Sequence, residues 1–299
     1  MNYYQAYGLI IRSELRLDEL IAVDEQPYDL ELLVNKIPAH IEREVIENQI
    51  RGFDASEIWF KVNNIGIFYI KDGQQIIIKP EKEASLIRVK QFIYGRCFAY
   101  ALLQRNVVVL HGATVNLSGE AVMIVGNSGA GKSTLTSALR QDGHGFICDD
   151  VSPINHLFME CLCVTPAFPV QRVHQSTMEE QNYDLTQHEY IEYSEGKRIY
   201  LVSTRDHFAK TPIPLKIIVE IQPTEESEVS LEELKGQEKI HTVYRNIFGS
   251  RARAKIGLNA EYFKKCTEIA KQIPVYRMKR PHGQYTVDRQ KELLYQLLA

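Results

Sequence analysis

Residues 126 to 133 read Gly-Asn-Ser-Gly-Ala-Gly-Lys-Ser, which satisfies the phosphate-binding spacing G-x-x-x-x-G-K-[ST] without a gap. No other stretch limits the fold as much, because this one works only in a particular setting. A buried strand must deliver the chain to the loop and a helix must carry it away, so that backbone N–H groups and the positive helix end converge on an anion. The apolar run Ala121-Val122-Met123-Ile124-Val125 is the expected strand, and Ser133 to Arg140 the expected helix. Lys132 is then placed to reach the terminal phosphates of a nucleoside triphosphate, and the Ser133 hydroxyl to ligate Mg²⁺. The expected nucleotide-binding residues are Gly126, Asn127, Ser128, Gly129, Ala130, Gly131, Lys132, Ser133 and the adjoining Thr134.

Around this anchor the chain of 299 residues divides into three expected parts. Residues 1–82 alternate short apolar runs with turn signals and predict a β-rich domain. Its clearest hairpin joins Gly66 to Lys71 with Gln74 to Lys79 through Asp72-Gly73, a pair suited to the positive φ angles of a tight turn. Residues 83–106 carry Leu86, Val89, Phe92, Ile93, Phe98, Leu102 and Leu103 at roughly helical spacing, which predicts a linking helix. Residues 107–299 form the expected catalytic domain. Within it the short Ser118-Gly119 turn makes the strand entering the loop antiparallel to the one before it. Gln171 to Glu195 is polar without a persistent period and reads as a mobile segment near the site.

The net charge of −3 gives no general attraction to nucleic acid or to an acidic membrane surface. No segment approaches the length of a membrane span, and charged residues occupy the start of the chain, so a cytoplasmic location is expected. Five cysteines at irregular spacing predict no disulfide framework; Cys161 and Cys163 read as strand residues.

After the loop helix, Phe146-Ile147-Cys148-Asp149-Asp150 reads as a strand ending in two carboxylates. One is enough to hold Mg²⁺ through its water shell, and the other can take the proton from an attacking hydroxyl. Neighbours on an extended strand point to opposite faces, so both serve one site only if the chain turns there. The alternative is that one aspartate binds Mg²⁺ and the other caps a loop. His111, on the strand before the loop strand, is either a core residue or a neighbour of the nucleotide.

Leu110-His111-Gly112, the strand pair, Gly126 to Ser133 and then Gly145-Phe146-Ile147-Cys148-Asp149-Asp150 together resemble the catalytic domain of the HPr kinase/phosphorylase family. The resemblance covers residues 107–155. It implies an α/β (α+β) mixed-sheet P-loop kinase domain of the phosphoenolpyruvate carboxykinase-like type behind a β-rich N-terminal domain, with ATP and Mg²⁺ as ligands. It also implies catalytic roles for Lys132, for Asp149 as base and for His111 near that base, with Ser133 and Asp150 as Mg²⁺ ligands. Two departures count against the reverse, phosphorolytic reaction and against HPr as substrate: Thr134 stands where the bifunctional enzymes have Glu, and no Glu-Ile-Arg-Gly occurs between Pro153 and Leu215. The layout, opening with Ala6-Tyr7-Gly8-Leu9 and Ser13-Glu14-Leu15, is most similar to the kinases that phosphorylate the C-terminal serine of lasso precursor peptides. Arg245, Arg251 and Arg253 are candidates for binding a peptide carboxylate. A homo-oligomer is compatible with this reading. The competing expectations are a nucleotide-gated binding protein with slow ATPase activity, a free-serine kinase and an HPr-type protein kinase.

Overall fold

The computed structural model describes residues 1–157, 161–194, 196–249 and 260–299. The chain divides into two compact units, the first comprising residues 1–109 and 248–263, the second residues 110–247 and 264–299.

In the first unit the alternating apolar runs build strands β1 (Asn2–Ala6), β2 (Leu9–Ser13), β3 (Ile21–Ala22), β4 (Leu30–Val34), β5 (Arg51–Phe53), β6 (Glu57–Val62), β7 (Gly66–Lys71) and β8 (Gln75–Pro80), with helix α1 (Ala39–Ile46) between β4 and β5. They form a single sheet in the order β3-β1-β2-β4-β8-β7-β6-β5. The pairs β2–β4 and β4–β8 are parallel, and the remaining pairs antiparallel. Asp72 at φ 52° and Gly73 at φ 64° make the tight turn between β7 and β8 that the sequence implies. A Cβ on residue 73 would lie 2.6 Å from Arg105 Cγ and 2.8 Å from the Ala101 carbonyl oxygen. Gly73→Ala should therefore cost more than about 1 kcal/mol, read as a lower urea midpoint at unchanged slope. An unchanged midpoint would show that the turn adjusts freely.

The helical segment differs from expectation in two ways. It is interrupted, running as α2 (Leu86–Phe92), a π-helical turn (Ile93–Cys97) and α3 (Phe98–Gln104), and it belongs to the first unit rather than standing between two parts. The reason is the extent of its apolar surface. Val89, Ile93, Cys97, Phe98, Ala99 and Ala101 are all buried, and the Phe92 ring packs on Phe68 at 5.6 Å between centroids. A helix with that much buried surface is a core element of the sheet it covers.

In the second unit, β9 (Val108–Leu117) runs through His111-Gly112 without a break and turns at Ser118-Gly119 into β10 (Glu120–Val125), antiparallel to it as expected. Then follow α4 (Lys132–Gln141), β11 (Gly145–Cys148), β12 (Val151–Leu157), β13 (Cys161–Val164), β14 (Val170–His174), α5 (Gln175–Glu180), β15 (Glu189–Ser194), β16 (Lys197–Ser203), β17 (Ile213–Thr224), β18 (Ser230–Glu233), α6 (Gly236–Arg245), α7 (Ala260–Gln272), β19 (Val275–Pro281) and α8 (Val287–Leu298). The loop strand β10 lies between β9, antiparallel, and β17, parallel, while β19 extends the sheet parallel to β17. The fold is thus mixed α/β with mixed sheets. Val122, Ile124, Leu135, Leu139, Val219 and Met278 form part of the core between the sheet and the helices α4 and α8. All five cysteines are free, with Cys161 and Cys163 on β13. Among the described residues no helix is long and apolar enough to cross a membrane.

Candidate active site

β10 ends in three fully buried residues, Met123, Ile124 and Val125, and releases the chain at Gly126. Here φ is +140°, and a Cβ would lie 2.7 Å from the Ile221 carbonyl oxygen on β17, so the loop leaves the sheet at a point where only glycine fits. The loop closes at Gly131, and α4 begins at Lys132. Its open side forms one wall of a cleft of about 440 Å³, lined from the loop by Ser128, Gly129, Gly131, Lys132, Ser133 and Thr134. Gly126, Asn127 and Ala130, also expected at the nucleotide, are not among the residues lining the cleft. The Lys132 ammonium donates to the carbonyls of Gly126 at 2.8 Å and Asn127 at 3.1 Å. Burial pulls its pKa down, and the charges of Asp150 and Asp149 oppose that shift.

The two aspartates face the same cleft. β11 stops at Cys148 and β12 starts at Val151, and the strand is broken at the aspartate pair between them. The Val151 N–H donates to the Asp149 carbonyl at 2.8 Å with Asp150 at φ +69°, a γ-turn of the rare, strained kind. This local kink breaks the strand alternation, so both carboxylates can serve one site. Asp149 is buried, and its Oδ2 accepts the backbone N–H of Arg172 at 2.8 Å. Burial raises the Asp149 pKa, the Arg172 charge opposes it, and the neighbouring Asp150 adds to the rise. Asp150 is also pushed up by burial, but Arg172 and His111 outweigh that and hold its carboxyl well below the usual range. The contacts responsible are Arg172 Nη2 to Asp150 Oδ2 at 2.7 Å and His111 Nδ1 to Asp150 Oδ1 at 2.9 Å.

His111 therefore enters the cleft from β9, fixed by its backbone N–H donating to the Asn246 carbonyl at 2.7 Å. Its ring lies on Asp150, the expected Mg²⁺ ligand, where the resemblance implies a place near the base. Asn246 is held in turn by Glu220 on β17, whose carboxylate accepts from Asn246 Nδ2 at 3.0 Å, from Arg277 Nε at 3.1 Å and from Arg245 Nε at 2.8 Å. Arg245 is thus paired with an internal carboxylate, with 41% of its side chain still exposed. Arg251 and Arg253 lie outside the described residues.

Six cleft residues were not picked out from the sequence: Arg172, His174, Ser176, Thr177, Ile199 and Arg280. The stretch expected to be mobile instead carries β14, α5 and β15, and both strands pair antiparallel with β16 beyond it to make the three-stranded sheet β14-β16-β15. It orders because Val173, Met178, Tyr200 and Val202 make a core of their own. The available signal was the alternation in Val170-Gln171-Arg172-Val173-His174: Gln171 and Val173 are fully buried, while Arg172 and His174 turn to the cleft. Polar bonds tie this sheet to the loop helix, including Gln171 Nε2 to Thr136 Oγ1 at 2.8 Å, Thr134 Oγ1 with Thr177 Oγ1 at 2.9 Å and Arg140 Nε to Gln171 Oε1 at 3.1 Å. Arg280 arrives from β19, and its Nε donates to the Ala130 carbonyl at 2.8 Å.

This geometry accompanies a sequence relationship. The profile of the HPr Serine kinase C-terminal domain matches residues 103–174, a span that opens before His111 and closes after Arg172. That span is similar to the HPr kinase-like family. The HPr kinase/phosphorylase of Azoarcus sp. is 48% identical over 72 residues, covering 24% of this chain and 21% of the relative. That of Nitrosomonas europaea is 40% identical over 55 residues, 18% of this chain and 17% of the relative. The matched part is thus about a fifth of the length of these curated relatives. The solved structure of the HPr(Ser) kinase/phosphatase from Coxiella burnetii aligns with 63% of this chain over 92% of its own, at 14% identity and a TM-score of 0.32. The HPr kinase-like segment holds His111, the glycine loop, both aspartates and Arg172, whereas Arg280 comes from outside it.

Proposed function

We propose that the protein is an ATP-dependent serine kinase that transfers the γ-phosphoryl group to a serine hydroxyl on a peptide, the C-terminal serine of a lasso precursor peptide being the preferred acceptor. One observation carries the reading: the loop lysine and two adjacent carboxylates line the same cleft, and its volume of about 440 Å³ lies within the range of small-ligand sites. The donor set suits a polyphosphate, with Lys132, Arg280 and the Ser133 hydroxyl on the loop side. It also suits Mg²⁺ better than a metal held by protein alone. Among the described residues no group of three or more His, Cys, Asp or Glu is placed to hold an ion, and Mg²⁺ characteristically takes one or two carboxylates together with phosphate oxygens and water.

Ser133 and Asp150 would hold the ion, which when bound neutralises charge on the phosphate oxygens. Lys132 would leave the Gly126 and Asn127 carbonyls and bind the terminal phosphates. Asp149, oriented by the Arg172 backbone, would accept the serine hydroxyl proton as that oxygen bonds to phosphorus and ADP leaves. The raised pKa of Asp149 suits a group that must take a proton and later return it.

The test is mass spectrometry after incubation with ATP, Mg²⁺ and three kinds of acceptor: peptides ending in serine, free serine and an HPr-type protein. One added phosphoryl group on the terminal serine of a peptide is the expected result. Labelling of free serine or of the protein alone would replace the acceptor, and ADP formation without any labelled acceptor would replace the kinase by a nucleotide-gated binding protein.

A further inference from the structure

The Arg172 guanidinium lies on the two carboxylates that the kinase reading assigns to base and metal ligand. Its Nη2 is 2.7 Å from Asp150 Oδ2, and its Nε is 3.8 Å from Asp149 Oδ2. The other oxygen of Asp150 is taken by His111 at 2.9 Å. A divalent ion ligated at about 2.1 Å by Asp150 would share a carboxylate with a fixed positive charge, in a cleft where burial weakens screening. The two contacts made by residue 172 differ in kind. The backbone N–H holds Asp149 at 2.8 Å and belongs to β14, which is paired along its length with β16. The guanidinium holds Asp150 from the end of a long side chain with several rotatable bonds. The side chain can therefore leave Asp150 while the backbone keeps Asp149 in place.

From this juxtaposition we propose that the Arg172 guanidinium and a divalent cation are alternative occupants of Asp150. Arg172 is thus a positioning residue that keeps the carboxylate pair ordered in the nucleotide-free protein and gives way when the metal binds. The proposal rests on the kinase reading, which makes Asp150 the metal ligand. It adds that metal binding is opposed by the protein's own cation, so that nucleotide-free protein holds divalent ions weakly and the phosphates of the nucleotide are needed to complete the site.

The experiment measures Mn²⁺ binding to the full chain without nucleotide, by the loss of the free-ion electron paramagnetic resonance signal. Arg172→Gln should bind Mn²⁺ about 5- to 150-fold more tightly than the native protein, the usual span of coupling between linked equilibria. Arg172→Lys, which keeps the charge beside Asp150, should restore weak binding, and Arg172→Met, which removes the charge and keeps the long side chain, serves in place of the glutamine variant if that does not fold. Arg280→Gln removes a positive charge from the same cleft without touching either aspartate, so it should change Mn²⁺ affinity less than about twofold, well below that span. Equal affinity in native protein and Arg172→Gln, or an equal gain from Arg280→Gln, overturns the proposal. If the native chain phosphorylates serine in either of those cases, the kinase reading survives without it. A native chain that binds no ATP removes the kinase reading, whatever Mn²⁺ does.

Discussion

Asp149→Asn is expected to bind ATP about as well as the native chain and to transfer phosphate to serine about 10²–10⁴-fold more slowly, the contribution of a positioned general base. The substitution is conservative in this setting. The asparagine carbonyl oxygen can still accept the Arg172 backbone N–H that Asp149 Oδ2 accepts at 2.8 Å, so the γ-turn and β14 keep their contact. What is lost is the capacity to take a proton. Single-turnover quench experiments give the rate of the chemical step, and a nucleotide titration gives the affinity. Transfer at the native rate would show that the hydroxyl proton goes elsewhere, and the role proposed for Asp149 would have to pass to another group in the cleft.

Glu220→Gln is expected to cost up to about 3 kcal/mol of stability, because it removes one of the two anionic partners of a buried charge. Only 5% of the Glu220 side chain is exposed and 11% of that of Arg277, so the Arg277 guanidinium would lose its buried carboxylate partner and keep only the more exposed Glu238. The direction with pH follows from the carboxyl itself. Burial raises its pKa, but Arg245 and Asn246 lead the contacts that outweigh this and hold it below the ordinary glutamate value. A carboxyl depressed in the folded state contributes its stability above its unfolded pKa and loses it as pH falls through the folded one. The gap between native protein and variant in chemical denaturation should therefore be widest near neutral pH and close progressively below about pH 4.3. A gap that stays constant into acid would mean that the cost comes from packing rather than charge. Glu220 also reaches the site: it holds Asn246, whose carbonyl holds the backbone of His111.

The site was legible in the sequence wherever its chemistry is set by covalent spacing. The glycine loop, its strand and helix, and the aspartate pair lie within a few tens of residues, and each has a residue pattern that few other structures share. The antiparallel entry of β9 followed from a two-residue turn. What the sequence left out depends on long-range register. Arg280 lies 150 residues beyond Ala130, and nothing in its own neighbourhood marks it; β19 brings it to the loop by pairing with β17. Arg172 was overlooked for a different reason, since its sheet is short and builds its core partly from residues beyond position 195, outside the stretch that read as structureless. The ion pair of Arg245 was likewise out of reach, since its buried partner Glu220 lies on β17, 25 residues earlier in the chain. In the N-terminal unit the helix was visible but its membership was not, because spacing shows that a face is apolar and not which sheet it covers.

The small sheet that carries Arg172 and His174 has its first and last residues side by side, with Val170 paired to Ser203. A stretch whose ends meet can be exchanged for another of different length without moving the chain on either side. Its attachment to α4 runs largely through a handful of polar bonds, so a replacement has only to restore those donors and acceptors to seat itself. Residues 170–203 are in this sense a cassette, and the part of the cleft lining they supply can diversify while the loop itself is left untouched. For protein engineering this makes the segment the natural unit to graft when a new acceptor is wanted on the same phosphate-binding frame.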